Sequence, residues 1–222
     1  MATDKRNNDA PGERKPPNPA HTEIQVENVG EHLRAWDGYF VSAHGVKYSY
    51  TGDPQAFLAS AFDNGALPIR GGWGYSKEDA VIIDTAHPVA DRSRPFNGTG
   101  VEYGFARLRM FLELVILRPG DKRYSGCQME LIRQELHNGD NGKKYDQLLF
   151  DITALPSKTW DALKAEWEGP HGIASPGFDK QDHIRRRDAA TVHYMGEYWF
   201  EISSFFGMDE MAYPLWSALM SG

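Results

Sequence analysis

The chain has 222 residues, 41% of them hydrophobic, 12% aromatic and 25% charged, with a net charge of −7. That apolar content builds a real core, and the acidic balance argues against phosphate backbones and anionic lipid, so neither nucleic acid nor membrane is an expected partner. The single cysteine, Cys127, forbids an internal disulfide and a multi-cysteine zinc site; no apolar signal occupies residues 1–21 and no apolar run approaches the ~18 residues of a membrane span, so the cytoplasm is the expected compartment.

Residues 1–21 combine Lys5, Arg6, Asp9, Glu13, Arg14 and Lys15 with four prolines and almost nothing apolar. The surface they can bury does not offset the entropy of ordering them, which predicts a disordered leader ahead of one α+β domain over 22–222. Residues 36–41 and 46–50 are aromatic and β-favouring and flank His44-Gly45, which predicts a hairpin. Asp53 as N-cap, Pro54 at the first helical position, and Phe57, Leu58, Ala61 and Phe62 on one face predict a helix ended by Gly65. Past the glycine-rich segment that follows, Ala80 and Val81-Ile82-Ile83 form a short apolar run of central-strand type.

Over 108–117 apolar residues take every second position, while Arg107, Arg109 and Glu113 point the other way, which predicts a long strand. Ser125 three residues before Gln128, then Met129, Ile132, Arg133 and Leu136, predict a helix stopped by Gly139. Cys127 would sit at its start, where the helix dipole lowers a thiol pKa, although a buried small hydrophobe is the commoner role. The run His137 to Gly142 has half the look of a calcium loop but lacks its acidic ladder and closing glutamate, and is read as a turn. Residues 147–153 read as a strand, and Ser157 caps a helix with Trp160, Leu163 and Trp167 on one face, broken at Gly169-Pro170. The Arg185-Arg186-Arg187 triplet, bracketed by Asp179, Asp182 and Asp188, reads as a solvated helix face. Residues 191–194 and 198–203 read as two strands around Met195-Gly196, and the methionine- and aromatic-rich 208–220 segment as a terminal helix docked on its own core or, alternatively, as a protein interface. Strands both adjacent and separated by helices predict an α+β fold: a mixed, largely antiparallel sheet with several packed helices in a single domain.

The functional signal is concentrated in Arg70-Gly71-Gly72-Trp73-Gly74-Tyr75. Three glycines within four residues imply a strained or ligand-facing turn, because glycine tolerates positive φ and close approach. Successive amides there form a donor nest for an anion, Arg70 adds a permanently charged fork, and Trp73 and Tyr75 offer rings for stacking. The segment lacks the Gly-Lys-Ser/Thr ending of a phosphate loop and precedes a strand where a dinucleotide fingerprint precedes a helix. The bland alternative is a tight turn whose rings pack on the core. Glu78, Asp79, Asp84 and His87 lie nearby, but adjacent Glu78 and Asp79 on a strand would point to opposite faces. No two of the eight histidines stand at i, i+4, so neither a metal nor a cofactor is expected. The leading expectation is a recognition protein without catalysis that binds a protein partner or an anionic small molecule through this loop. The alternative is a small transferase or hydrolase whose anionic substrate is held by Arg70 and the Gly71–Gly74 amides, with Glu78, Asp79 or His87 moving a proton.

Overall fold

The computed structural model describes residues 24–35, 40–41, 47–48 and 52–208; the expected leader and the apolar segment beyond Met208 lie outside them. In chain order the elements are α1 (Val29–Ala35), β1 (Phe40–Val41), β2 (Lys47–Tyr48), α2 (Pro54–Ala61), β3 (Ile69–Gly71), β4 (Val81–Ile83), α3 (Gly98–Phe111), β5 (Tyr124–Asn138), β6 (Lys144–Pro156), α4 (Ser157–Glu168), α5 (Lys180–Ala190) and β7 (Val192–Glu201). The α+β class is as expected. β1 and β2 pair antiparallel as the predicted hairpin, and a five-stranded sheet runs in the order β3-β4-β7-β6-β5 with β4 and β7 its one parallel pair.

Side-chain caps start α2, α3 and α5, whereas Ser157, expected to cap α4, is its first helical residue and its hydroxyl meets that of Ser125 at 2.8 Å. The Asp53 side chain accepts the Gln55 amide at the head of α2, with Pro54 in its first turn. Asn97, part of an Asn-Gly-Thr tripeptide, caps α3 by accepting the Gly100 amide at 2.8 Å. Asp179 caps α5 through the Asp182 amide; Arg185 and Arg186 pair with Asp182, and Arg187 with Asp188, so the basic triplet is a neutralised, exposed face.

Three elements differ from expectation. Residues 108–117 are helical: α3 continues into a π-turn at Leu112–Ile116. Of the polar residues set against the apolar ones, Arg107 is exposed as expected, but Arg109 and Glu113 are buried, as is Glu102 earlier in the helix. The segment expected as a helix from Ser125 is instead the edge strand β5 (Tyr124–Asn138), with register shifts between Ser125 and Gln128 and between Leu131 and Arg133. Each extra residue flips the side-chain parity, so a bulged strand imitates helical spacing. Cys127 therefore meets no helix dipole, and burial pushes its thiol up to about 11. Residues 192–201 form one continuous β7 and not two strands. Gly196 there serves close packing, as a Cβ would lie 2.6 Å from Ile152 Cδ1.

The core is a layer between one sheet face and α3. Leu148, Phe150 and Ile152 of β6 and Tyr198 and Phe200 of β7 point into it, and Phe105 of α3 meets Phe200 edge-on at 5.9 Å between centroids. α4 rests against the ends of β5 and β6.

Candidate functional site

The glycine loop links β3 to β4 as a hairpin in which Gly71 pairs with Val81. Gly71 and Gly74 have φ of +93° and +73°, which closes both to a side chain without strain. Gly72 is reserved for a different reason, since a Cβ there would lie 2.2 Å from Asp79 Oδ1 and 2.3 Å from the Asp79 carbonyl. The donor nest exists, and the chain fills it from within. Asp79 Oδ2 accepts the Trp73 amide at 3.0 Å and the Tyr75 amide at 3.5 Å, while the Gly72 and Gly74 amides donate to the Ala80 and Asp79 carbonyls. Glu78 and Asp79 lie in the turn and not on a strand, so alternation does not separate them.

The six loop residues diverge. Trp73 is 3% exposed and packs between Phe57 and Phe105, each 6.1 Å away between centroids. Arg70 is on the surface, its Nε 3.4 Å from Asp84 Oδ2. Tyr75 reaches inward: its hydroxyl donates to Glu113 Oε1 at 2.7 Å and accepts the Val29 amide at 2.9 Å. The loop thus ties the start of α1 to the π-turn.

Behind Tyr75 is a buried polar network that period-two reading of 108–117 conceals. Glu113 Oε2 accepts the Tyr194 hydroxyl at 2.8 Å, and Arg109 Nε forms an ion pair with Glu113 Oε1 at 3.0 Å. The same guanidinium donates to the Trp73 carbonyl at 2.8 Å and the Glu197 carbonyl at 2.5 Å. It is flanked by the rings of Tyr75 and Tyr198, at 4.1 and 3.6 Å from Cζ to centroid. A buried charge stands only where a counter-charge and hydrogen bonds offset its lost hydration. Burial draws the Arg109 pKa down, but Glu113 and the surrounding tyrosines outweigh it and the net shift is upward. Burial, reinforced by the Glu113 carboxylate, holds the phenols of Tyr75, Tyr194 and Tyr198 well above their ordinary range.

On the other side of the π-turn a cavity of about 850 Å³ opens between two walls. Gln25, Glu27, His32 and Ala35 come from α1 and the segment before it; Glu113, Ile116, Leu117, Arg118, Pro119, Lys122 and Arg123 come from the π-turn and its exit. Arg118 is held in place by donating from Nε to the Glu113 carbonyl and from Nη2 to the Gln25 carbonyl, both at 2.7 Å. Arg123 Nε donates to the Arg118 carbonyl at 3.1 Å, and His32 Nδ1 is 2.9 Å from Glu27 Oε2. With Glu113 matched by Arg109, the walls carry three permanent cations against the one exposed carboxylate of Glu27. None of the six loop residues lines this cavity. Their connection to it is Tyr75, which braces both walls. Two signals in the sequence mark it: the Arg118, Lys122 and Arg123 cluster and the histidine of α1.

Among the described residues no group of three or more histidine, cysteine or carboxylate side chains is placed to hold a metal ion, and no helix is long and apolar enough to cross a membrane. Comparison of the chain with protein-family models, with curated proteins and with solved structures gives no match.

Proposed function

We propose that the protein is a recognition module that binds a small anionic molecule, without transforming it, in the cavity between α1 and the π-turn. The carrying observation is the cationic wall of Arg118, Lys122 and Arg123 on a concavity of about 850 Å³, a size within the ~300–1,000 Å³ of small-molecule sites. In a chain of net charge −7, such a local excess of positive charge selects a carboxylate or phosphate. Ile116, Leu117, Pro119 and Ala35 accommodate an apolar portion of the same ligand. Binding is favoured over catalysis because both Glu113 oxygens already accept tyrosine hydroxyls, which leaves that carboxylate poorly placed to take a proton. The glycine loop acts as the brace and not as the anion cradle, since Asp79 occupies its amides.

The rival, hydrolysis or group transfer on such an anion, has the His32–Glu27 pair at the cavity wall in its favour. The test is a thermal-shift series with phosphate, sulfate, citrate and aromatic carboxylates. A ligand bound only to the folded state raises the melting temperature in proportion to RT ln(1 + [L]/Kd). The rise should vanish in Lys122→Ala/Arg123→Ala while the ligand-free melting temperature holds, and should survive Arg70→Ala. Turnover of a bound phosphoester that is lost in His32→Ala would favour the rival. No shift with any anion would overturn both.

A further inference from the structure

Nine large apolar side chains among the described residues are exposed, and four of them, Tyr103, Leu136, Phe206 and Met208, meet at one corner of the core side of the sheet. Directly opposed residues of an antiparallel pair face the same way. Leu136, opposite the buried Asp146, and Gln134, opposite the buried Leu148, therefore stand on the side that carries α3. Met129 and Leu131, earlier in β5, pack against the core, but Gln134 and Leu136 are exposed. On the α3 bank, Tyr103 sets its ring edge-on to Phe150 of β6 at 5.5 Å. A trough thus runs between Tyr103 and the second half of β5, over Leu148 and Asp146, and the exposure of both banks means that no described element closes it.

The chain leaves the described residues at the mouth of this trough. After β7, Phe205 lies over Gly98 at the start of α3 and 5.7 Å from Phe96, while Lys144 Nζ stands 5.2 Å above the Phe206 ring. Lys144 pairs in the ladder with Asn138, two residues past Leu136. We propose that residues 209–222 turn back from Met208 and fill the trough between α3 and β5. Composition, reach and charge support this occupant. Met211, Tyr213, Leu215, Trp216, Leu219 and Met220 supply large apolar groups, which gain by leaving water against Leu136 and Tyr103. From the level of Asn138 to that of Leu131 the trough is about 23 Å long at ~3.3 Å per residue. Residues 209–220 span about 18 Å if helical and up to ~40 Å if extended, so Leu136 is within reach in either case. Lys144 donates to Asn138 Oδ1 and covers the Phe206 ring but meets no carboxylate among the described residues. Asp209 and Glu210, directly after Met208, bring two carboxylates to it. The other terminal segment fits poorly. The Ile24 amide is tied to the His193 carbonyl at the far end of β7, and residues 1–23 hold Met1 as their only large apolar side chain.

A thermodynamic cycle tests the contact. Leu136→Ser should lower the melting temperature of the full chain by several degrees, and should have little effect in a chain ended after Met208, where its partner is already gone. Equal losses in the two chains, or no loss in the full chain, would overturn the proposal. A second measurement needs only the full chain. In a Cys127→Ala background, Leu136→Cys combined with Leu215→Cys or with Leu219→Cys should close an intrachain disulfide in dilute solution under catalysed oxidation, because the bridged Cα atoms must come within about 7 Å. Leu136→Cys combined with Asp4→Cys should not. No disulfide with either leucine position would overturn the proposal. So would disulfides that form only between chains, together with a dimer in sedimentation that is lost when the chain ends at Met208, since the segment would then dock on a second copy.

Discussion

Glu113 draws together groups from four parts of the chain: Tyr75 of the loop, Arg109 of α3, Tyr194 of β7 and, through Tyr75, the Val29 amide. Removing one hydrogen-bond donor from a buried carboxylate costs about 1–3 kcal/mol, so Tyr194→Phe should lower stability by that amount at neutral pH. The three raised phenols also give an alkaline dependence of definite sign. Their folded pKa values lie above the unfolded value of about 10, so the unfolded state releases protons first as pH climbs and stability falls from there upward. Melting temperature should be flat with respect to these groups below about pH 10 and decline above it, less steeply in Tyr194→Phe. Phenolate absorbance that showed every tyrosine of the folded protein titrating near its ordinary value would remove the basis for this expectation.

At the scale of elements, two glycines of similar sequence appearance should respond with opposite sign. Gly74, at φ +73° with the Trp199 carbonyl 2.9 Å from a built Cβ, should lose about 1–3 kcal/mol on replacement by alanine. Gly104, inside α3 with only Leu67 Cδ2 in range at 3.7 Å, should gain about 0.5–1 kcal/mol, because alanine restricts the unfolded chain and suits the helix. Denaturant melts of the two variants settle both signs. Elements with a chemical marker at the end or a clean period were legible from the residues: α2 from Asp53-Pro54, α4 from its Trp160/Leu163/Trp167 stripe and not from a Ser157 cap, and β6 from its alternation. Those whose signal was overwritten were not. In α3, burial of Glu102, Arg109 and Glu113 blurred the helical stripe, and the π-turn shifted it by a further residue. In β5 the bulges reset the alternation midway. The glycine loop announced a constrained backbone, and the backbone is constrained. Its occupant, Asp79 from the same turn, is a matter of distance that spacing does not encode. The cavity wall was hidden for the same reason, since Gln25 and Arg118 meet only in the fold.

For the whole molecule, the order β3-β4-β7-β6-β5 places β7 between partners on both sides, with Tyr198 and Phe200 fully buried. Amide exchange should therefore be slowest in β7 and β6 and fastest, among the long strands, at the outward amides of β5 in dilute solution. Exchange as fast in β7 as in β3 would mean that the sheet does not open as one unit around its centre. The middle position of β7 also bears on the birth of the protein. β7 is the last of the five strands to be synthesised, yet it alone joins the β3–β4 ribbon to the β5–β6 ribbon. A nascent chain that has passed Pro156 but not reached Val192 carries two half-sheets with raw edges and a glutamate still lacking Tyr194. At ~5–20 residues per second of translation, that interval lasts a few seconds. The length of the α4–α5 excursion therefore sets how long the unfinished molecule is open to misassociation on the ribosome, and shortening that excursion would narrow the window without touching the core.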